Sequence, residues 1–211
     1  DSYSCRLAKG THKAVDRLEK LTRKVSKNHT KACWVLKCDV KKFFASVDQR
    51  ILFSLLKRQI LDKDILWLLS EVIKSFHSEE GKNKGIPLGN LTSQIFANIY
   101  LNELDQFVKH RLKVKYYIRY ADDFLFLSKN KEFLHEYIDK LKEFLNNKLQ
   151  LDLHPNKIIF RKLEWGIDFL GYIVLPYYRL PRTKTKRRIF KKMGQAKISE
   201  QSLNSYLGYF S

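Results

Sequence analysis

Two adjacent aspartates interrupt a strongly strand-forming stretch, IRYADDFLFL, at residues 118–127. The apolar and aromatic residues on both sides favour two paired strands, and Asp is common in the turn of such a hairpin. Neighbouring carboxylates repel each other, however, and burying them among such residues is costly without a bound cation. The stretch therefore predicts a hairpin, and it leaves two interpretations of Asp122 and Asp123: a plain turn or a cation site.

The charge balance indicates what kind of molecule the chain binds. Its 211 residues carry 41 Lys and Arg against 22 Asp and Glu, which gives a formal net charge of +19. This excess is larger than solubility requires, so we expect a polyanionic partner such as nucleic acid, with a basic but non-binding surface as the alternative. A hydrophobic content of 44% is sufficient for a real core and argues against disorder.

Cysteine usage and hydropathy bear on the compartment. Cys5, Cys33 and Cys38 form no CxxC pair, so neither a zinc site nor a disulfide framework is predicted, and a reducing environment fits. No apolar run approaches the roughly 18 residues needed to span a membrane, and no signal-peptide pattern opens the chain. We therefore expect a cytoplasmic protein with no membrane partner. Because the helical pattern near residues 202–211 runs to the end, we also expect a piece of a longer protein.

Hydrophobic periodicity predicts the order of the elements. An amphipathic helix follows Gly10 and Thr11, and the order after it is β-α-α-α-β-β-α-β. The predicted elements are a strand at 34–40, helices at 48–59, 62–76 and 91–112, the hairpin at 118–127, a helix at 131–149, and strands at 158–160 and 167–175. This order predicts an α+β fold whose mixed sheet carries helices on one face. After Pro181, seven of the eleven residues 182–192 are basic, which marks the edge of a second unit.

Asp39 stands at the end of the predicted strand at 34–40 and is the third carboxylate of interest. If this strand neighbours the hairpin, three carboxylates converge on one edge of the sheet. Oxygen ligands with no His or Cys nearby select Mg²⁺ or Mn²⁺. Two such ions can activate a sugar hydroxyl and stabilise a leaving pyrophosphate. Together with a polyanionic partner, the pattern indicates nucleotidyl transfer.

Several short motifs along the chain point to a known family. YADD at 120–123, DVKKFF at 39–44 and IPLGNLTSQ at 86–94 resemble, in their order and spacing, the motifs of reverse transcriptases. HPNK at 154–157 resembles its lysine-bearing palm motif, and FLGY at 169–172 resembles its primer grip. SYSCRLAKGTH at 2–12 resembles a fingers motif of bacterial enzymes. The resemblance covers nearly the whole chain.

The resemblance implies a polymerase palm, a mixed and mainly antiparallel sheet backed by helices. Residues 1–34 would be a partial fingers segment, residues 35–181 the palm with inserted fingers helices at about 48–85, and residues 182–211 the start of a truncated thumb. The implied activity is that of an RNA-directed DNA polymerase. Its cofactors would be two Mg²⁺ ions, with Mn²⁺ as a substitute. Its partners would be a template RNA, a cDNA primer and deoxynucleoside triphosphates.

The resemblance also assigns roles to individual residues. Asp39, Asp122 and Asp123 would hold the metals, together with the backbone carbonyl of Val40. Lys157 would donate a proton to pyrophosphate, although it is equally consistent with one of many surface lysines. The nucleotide would be bound by Lys41, Lys42, Phe43, Phe44, Leu88, Gly89 and Gln94. In this set Phe44 is the candidate steric gate that excludes a 2′-hydroxyl. One of the two phenylalanines is expected to point into the core. For Lys41 and Lys42 the alternative is that they are ordinary solvated lysines.

Two further sets follow from the same resemblance. The primer end would be supported by Leu170, Gly171 and Tyr172. The phosphates of an RNA–DNA duplex would be contacted by Arg182, Lys184, Lys186, Arg187 and Arg188. A solvated linker is the alternative for the basic run.

The third motif indicates a subfamily. Group II intron enzymes usually carry QG and SP where this chain has Leu88-Gly89 and Ser93-Gln94. The LG and SQ forms resemble the reverse transcriptases of diversity-generating retroelements, which copy a template RNA with errors at adenines and act with an accessory variability protein. Another bacterial reverse transcriptase, of the group II intron, retron or abortive-infection type, is the alternative. A noncatalytic RNA-binding palm and a nucleotide cyclase are further alternatives, but all three carboxylates are present and the GGDEF-type signature of cyclases is absent.

Overall fold

A computed structural model describes residues 1–76, 78–87 and 89–193. Its helices are α1 Thr11–Ser26, α2 Phe43–Ser46, α3 Gln49–Lys57, α4 Lys63–Lys74, α5 Leu91–Gln106, α6 Lys131–Leu149 and α7 Thr183–Met193. Its strands are β1 Trp34–Asp39, β2 Tyr117–Tyr120, β3 Asp123–Ser128, β4 Ile159–Lys162, β5 Ile167–Phe169, β6 Tyr172–Val174 and β7 Arg179–Pro181. A π-helical turn, Phe107–Arg111, continues α5, and short 3₁₀ turns occupy Pro155–Lys157 and Leu163–Trp165.

The central sheet has the strand order β2-β3-β1-β4, and all of its strand pairs are antiparallel. A mixed sheet was predicted, but among the described residues parallel pairing is limited to an isolated bridge between Ser2 and Arg119. Side chains alternate between the two faces of β1, as the period of a strand requires. Leu36 and Cys38 therefore belong to one hydrophobic core, whereas Val35 belongs to another.

The two cores lie on opposite faces of the central sheet. Helices α3, α5 and α6 contribute to the first core, on the face of Leu36. Helix α1 contributes five fully buried residues, among them Leu18 and Val25, to the second core. The second core also contains Phe169 and Tyr172 of a small sheet with the order β5-β6-β7. The prediction that helices cover only one face was therefore wrong, since α1 packs against the other.

Most predicted elements are confirmed within a few residues. The helices predicted at 48–59 and 62–76 are α3 and α4, and each begins after an aspartate, Asp48 or Asp62, whose side chain accepts two backbone N–H groups. The strand predicted at 167–175 is instead a hairpin, β5-β6, turning at Leu170 and Gly171. No helix in the described part of the chain is long and apolar enough to cross a bilayer.

Candidate active site

The register of the central sheet brings two of the predicted carboxylates together. Asp39, the last residue of β1, pairs directly with Asp123, the first residue of β3. Asp122 precedes Asp123 in the turn between β2 and β3. The hairpin and the cation-site interpretations of this stretch are thus compatible. The turn of the hairpin places Asp122 at the same edge of the sheet at which Asp39 and Asp123 meet.

A buried arginine holds the turn in place. Arg119 in β2 is 1% exposed, and its guanidinium donates from Nε to Asp105 Oδ1 (2.9 Å) and from Nη2 to Asp105 Oδ2 (2.6 Å). Its Nη1 donates to the carbonyl of Ala121 (3.1 Å), a residue with a left-handed φ of 52°. Asp105 Oδ1 also accepts a hydrogen bond from the hydroxyl of Tyr117 at 2.8 Å. Sequence reasoning missed Arg119 and Asp105, although a charge inside an otherwise apolar strand was an available signal.

Two lysines compensate the carboxylates. Lys157 Nζ donates to Asp39 Oδ2 at 2.9 Å, and Lys37 Nζ forms a salt bridge with Asp123 Oδ2 at 2.9 Å. Asp123 Oδ1 is buried and has no hydrogen-bond partner among the described residues. In that part of the chain, no three His, Cys, Asp or Glu side chains are already gathered as a metal cluster. Lys37 was not predicted as a site residue, even though it shares a face of β1 with Asp39.

The electrostatics of the site follow from burial and like charge. The pKa of Asp123 is raised to about 6, first by burial and then by the charges of Asp39 and Asp122, against the opposing effect of Lys37. Burial is also the main cause that raises the pKa of Asp122, and repulsion from Asp39 adds to it. The hydrogen bond to Asp39 raises the pKa of Lys157. Burial and mutual repulsion therefore make the ionised carboxylates at this edge unfavourable. A bound cation would stabilise them, so the edge is suited to cation binding.

A cavity of about 330 Å³ opens beside Asp39, between the central and the small sheet. Its polar lining is mostly basic and consists of Lys37, Asp39, Lys157, Arg161, Asp168 and Arg182. A larger cavity of about 770 Å³, between α3, the π-helical turn and α6, contains none of these residues. The smaller cavity is thus the one that adjoins the predicted chemistry.

The residues predicted to bind a nucleotide lie on the segment that follows β1, on the segment that precedes α5 and in the first turn of α5. Phe43 is buried, whereas Phe44 is half-buried and its carbonyl accepts the N–H of Ile86 at 2.8 Å. The prediction that one of the pair points inward is confirmed. Gly89 has a φ of 89° and is exposed, and Gln94 is half-buried in the first turn of α5. Leu88 lies outside the described residues.

Val40, which was predicted as a metal ligand, and the two lysines of the nucleotide-binding set differ in their partners. Val40 is buried and forms a bridge with Leu153, next to the carboxylate edge. Lys41 is exposed. Lys42 is also exposed, but its Nζ contacts Glu80 Oε1 at 2.6 Å, and this hydrogen bond raises the pKa of Lys42. Of the two lysines, Lys42 is therefore already engaged by a carboxylate.

The residues predicted to support the primer form the turn of the β5-β6 hairpin. Leu170 and Gly171 have φ values of 51° and 89°, and this pair of left-handed residues matches the tight turns that join antiparallel strands. Tyr172 is buried at the start of β6, and the carbonyl of Gly171 accepts the N–H of Arg182 at 2.8 Å. The hairpin is thereby tied to the segment that leads into α7.

The predicted basic run begins at this connection and continues along α7. Arg182 Nη1 contacts Asp168 Oδ2 at 2.9 Å. Helix α7 buries Thr185 and Ile189 on one side, and Lys184, Arg187 and Arg188 are exposed while Lys186 is half-buried. The helix therefore presents a basic surface, and both a duplex contact and a solvated segment are consistent with it.

Comparisons with known proteins agree with this geometry. A family model described as "Reverse transcriptase (RNA-dependent DNA polymerase)" matches residues 1–174. Protein YkfC of Escherichia coli is 28% identical over 207 residues, covering 81% of this chain and 54% of its own length. Group II intron-encoded protein LtrA of Lactococcus lactis is 26% identical over 239 residues, covering 82% of this chain and 38% of its own length. The chain thus spans about half, or less, of the curated relatives it matches.

Solved structures show the same fold at low sequence identity. Apo telomerase from Candida tropicalis superposes with a TM-score of 0.66 at 18% identity, over 99% of this chain and 41% of that chain. Telomerase from Candida albicans, in complex with a fragment of telomeric RNA, has a TM-score of 0.64 at 13% identity over 86% of this chain and 36% of that chain. The α+β palm architecture expected from the sequence is confirmed.

Proposed function

Because this chain belongs to the reverse transcriptase family, we propose that it is the polymerase palm of an enzyme that copies a template RNA into cDNA. The pairing of Asp39 with Asp123, with Asp122 in the adjoining turn, is the observation that carries the proposal. In this proposal residues 1–34 belong to the fingers, residues 35–181 form the palm with fingers helices inserted at about 48–85, and residues 182–211 begin the thumb. Residues 194–211 of that last segment lie outside the described residues.

The donor set of the site fits a pair of Mg²⁺ ions. Three carboxylates and the carbonyl of Val40 offer only oxygen, which Mg²⁺ and Mn²⁺ prefer. The buried, unpartnered Oδ1 of Asp123 has a lone pair that a cation would satisfy. When bound, the ions would supply activation of the primer hydroxyl and stabilisation of charge on the leaving pyrophosphate. Asp39, Asp122 and Asp123 would hold them.

Lys157 is the proposed proton donor to pyrophosphate. Its side chain is 51% exposed, its Nζ lies 2.9 Å from Asp39, and it lines the cavity beside that carboxylate. The carboxylate contact keeps the ammonium protonated, while the exposure leaves it able to reorient toward a leaving group. A lysine fixed on the surface by its ion pair alone is the competing role.

The substrates follow from the surroundings of the carboxylates. The basic cavity and the exposed face of α7 are suited to nucleic-acid phosphates, which supply most nonspecific affinity. We propose template RNA and a cDNA primer as the polymers and deoxynucleoside triphosphates as the monomers. The direct experiment is Mg²⁺-dependent extension of a DNA primer on an RNA template by the full-length protein. Absence of extension under any primer-template design would contradict the function.

Phe44 is proposed to select the sugar. Its half-buried ring packs edge-on against buried Phe43, with 5.2 Å between ring centroids, so its position is restricted. In the full-length protein, Phe44→Ala is expected to raise ribonucleotide relative to deoxyribonucleotide incorporation, because the group that clashes with the 2′-hydroxyl is removed. Single-nucleotide incorporation kinetics with both sugars measure the ratio.

Phe53→Ala provides the matched control, since Phe53 is a half-buried phenylalanine of α3. We expect this variant to keep the wild-type sugar preference even if it is less stable. An unchanged preference in Phe44→Ala would assign Phe44 to packing alone and move the gate elsewhere.

For the subfamily, we propose the error-prone enzyme of a diversity-generating retroelement, with an accessory variability protein as a partner. Leu88-Gly89 and Ser93-Gln94 support this assignment. The second candidate is a group II intron-encoded reverse transcriptase, and the similarity to LtrA favours it. The neighbouring DNA distinguishes the two, because a template repeat beside a variable repeat is expected only for the first.

Error rate at template adenine offers a protein-level test of the same choice. Gln stands at the position of Leu88 in many reverse transcriptases, and its amide is able to hydrogen-bond the incoming nucleotide. Since such a bond contributes about 0.5–1.5 kcal/mol, Leu88→Gln in the full-length enzyme is expected to lower misincorporation several-fold, most visibly opposite adenine. Sequencing cDNA copied from one template by both proteins measures the effect.

Leu91→Gln is the control for that experiment, because Leu91 is 73% exposed at the start of α5 and gains the same amide. Its error spectrum is expected to match that of the wild type. Equal adenine error rates in Leu88→Gln and wild type would refute a role of Leu88 in fidelity.

A further inference from the structure

Lys37 contacts two separate parts of the proposed active site. Its Nζ lies 2.9 Å from Asp123 Oδ2 at the start of β3, and it donates to the backbone carbonyl of Asp168 in β5 at 3.0 Å. These acceptors belong to the central and to the small sheet, respectively. One ammonium group therefore bridges the carboxylate edge and the small sheet.

The acceptor in the small sheet adjoins the proposed primer-supporting turn. Asp168 immediately precedes Phe169, which pairs with Tyr172 across the turn formed by Leu170 and Gly171. The side chain of Asp168 is held in turn by Arg182 at 2.9 Å. Because β5 is only three residues long, a bond to the carbonyl of Asp168 restrains the whole hairpin.

The contact also determines how the Asp123 carboxylate is oriented. One carboxylate oxygen forms the salt bridge with Lys37, while the other is buried without a hydrogen-bond partner among the described residues. The side chain of Lys37 is 22% exposed and that of Asp123 is 21% exposed, so solvent competes little for this charge-assisted bond. A group that fixes one oxygen of a metal-binding carboxylate directs the other.

Lys37 and Lys157 differ in how exposed their side chains are and in how many groups they contact. Lys157 is 51% exposed and contacts Asp39 from a short 3₁₀ turn, whereas Lys37 extends from the interior of β1 and has two acceptors on different sheets. Lys157 is thus the more exposed of the two lysines, whereas contacts on two sheets restrain Lys37.

We propose that Lys37 is a positioning residue that sets the Asp123 carboxylate relative to the primer-supporting hairpin of residues 169–172. The inference rests on the proposed function, since it concerns the alignment of a primer end with the catalytic carboxylates. Lys37 touches neither primer nor nucleotide in this role. It acts through Asp123 and through the backbone of β5.

The test compares Lys37→Met, Lys37→Arg and the wild type as full-length proteins. Methionine keeps most of the aliphatic stem but has no donor, whereas arginine retains donors for both acceptors. Since misplacement of about 1 Å costs up to roughly a hundredfold in rate, we expect Lys37→Met to lower kcat by about 10- to 100-fold. We expect KM for the primer-template to change by less than about threefold, because nonspecific phosphate contacts remain. Arginine is expected to restore part of kcat.

A second readout requires neither metal nor turnover. A primer carrying 2-aminopurine at its 3′ end, annealed to template RNA, reports the stacking and mobility of that base by fluorescence. Its fluorescence in the metal-free complex is expected to differ between Lys37→Met and wild type. Lys162→Met is the matched control, because Lys162 is a half-buried lysine of β4 that lies over the Trp34 ring at 5.2 Å and contacts none of the carboxylates. This control is expected to behave as the wild type in both assays.

Wild-type kcat and wild-type fluorescence in Lys37→Met would overturn the inference. A second result would also overturn it: Lys37→Met loses kcat in parallel with its melting temperature, Lys37→Arg does not restore kcat, and the primer-end fluorescence is unchanged. The lysine would then act on folding alone. Both results require an active wild-type enzyme. A wild type that extends no primer would instead refute the proposed function itself.

Discussion

In the full-length protein, Asp122→Asn is expected to abolish Mg²⁺-dependent primer extension while leaving RNA binding largely intact. The substitution preserves the shape of the side chain but removes the charge with which the turn would hold a metal. Losing several kcal/mol of transition-state stabilisation corresponds to a fall in kcat of about a thousandfold or more. Binding persists because the exposed basic face of α7 and the basic cavity remain. Extension assays and filter binding on the same preparation measure the two quantities.

The control for this variant is Asp152→Asn, which removes the charge of an exposed aspartate. Among the described residues, the only hydrogen bond of the Asp152 side chain is to Asn146, at 3.4 Å. Its kcat is expected to stay near that of the wild type. Normal extension by Asp122→Asn would refute the two-metal assignment of this edge, whatever the behaviour of the control.

Asp105→Ala is expected to cause the largest loss of stability among the predicted variants. It removes the acceptor of two bonds from Arg119, which is 1% exposed, and of a third bond from Tyr117. Leaving a buried charge without its partner costs about 3–5 kcal/mol. For a chain of this size each kcal/mol lowers the melting temperature by about 2–4 °C, so we expect a fall of about 10 °C. Thermal unfolding followed by circular dichroism measures it.

Two comparisons isolate the buried charge as the cause. Asp139→Ala removes an exposed aspartate that lies 3.7 Å from Lys142, and such surface pairs contribute about 0–1 kcal/mol, so its melting temperature should hardly move. The double variant Asp105→Ala with Arg119→Met removes the unpaired charge and is expected to recover part of the loss. If Asp105→Ala melted like the wild type, the network would have no structural role in holding the turn of Asp122.

Local patterns in the sequence were sufficient for most elements and for the identity of the carboxylates. The spacing of Leu18, Leu21 and Val25 predicts α1 because one face of a helix must be apolar to pack. The strand runs on both sides of Asp122 and Asp123 predict the hairpin for a similar reason. Motif order then indicated the family, since each motif is recognisable from a few adjacent residues.

Contacts between distant segments were not predictable in this way. That Asp39 pairs with Asp123 depends on strand order and register, and these depend on how two cores pack against opposite faces of one sheet. The partners of Lys37 and Arg119 follow from the same arrangement, because a charge in an apolar strand indicates some partner but does not say which one.

The segment at 167–175 shows the difference most directly. Its apolar residues predict one strand, and only Gly171 hints at a turn, because leucine is disfavoured in the left-handed region that Leu170 adopts. The hairpin forms since Phe169, Tyr172 and Val174 are buried against α1 and the central sheet, which outweighs the local cost at Leu170. The sequence by itself therefore determined most of the elements, their order along the chain and which carboxylates are proposed for the site. The tertiary structure decided which charges meet, because burial and strand register act between residues that are far apart in the chain.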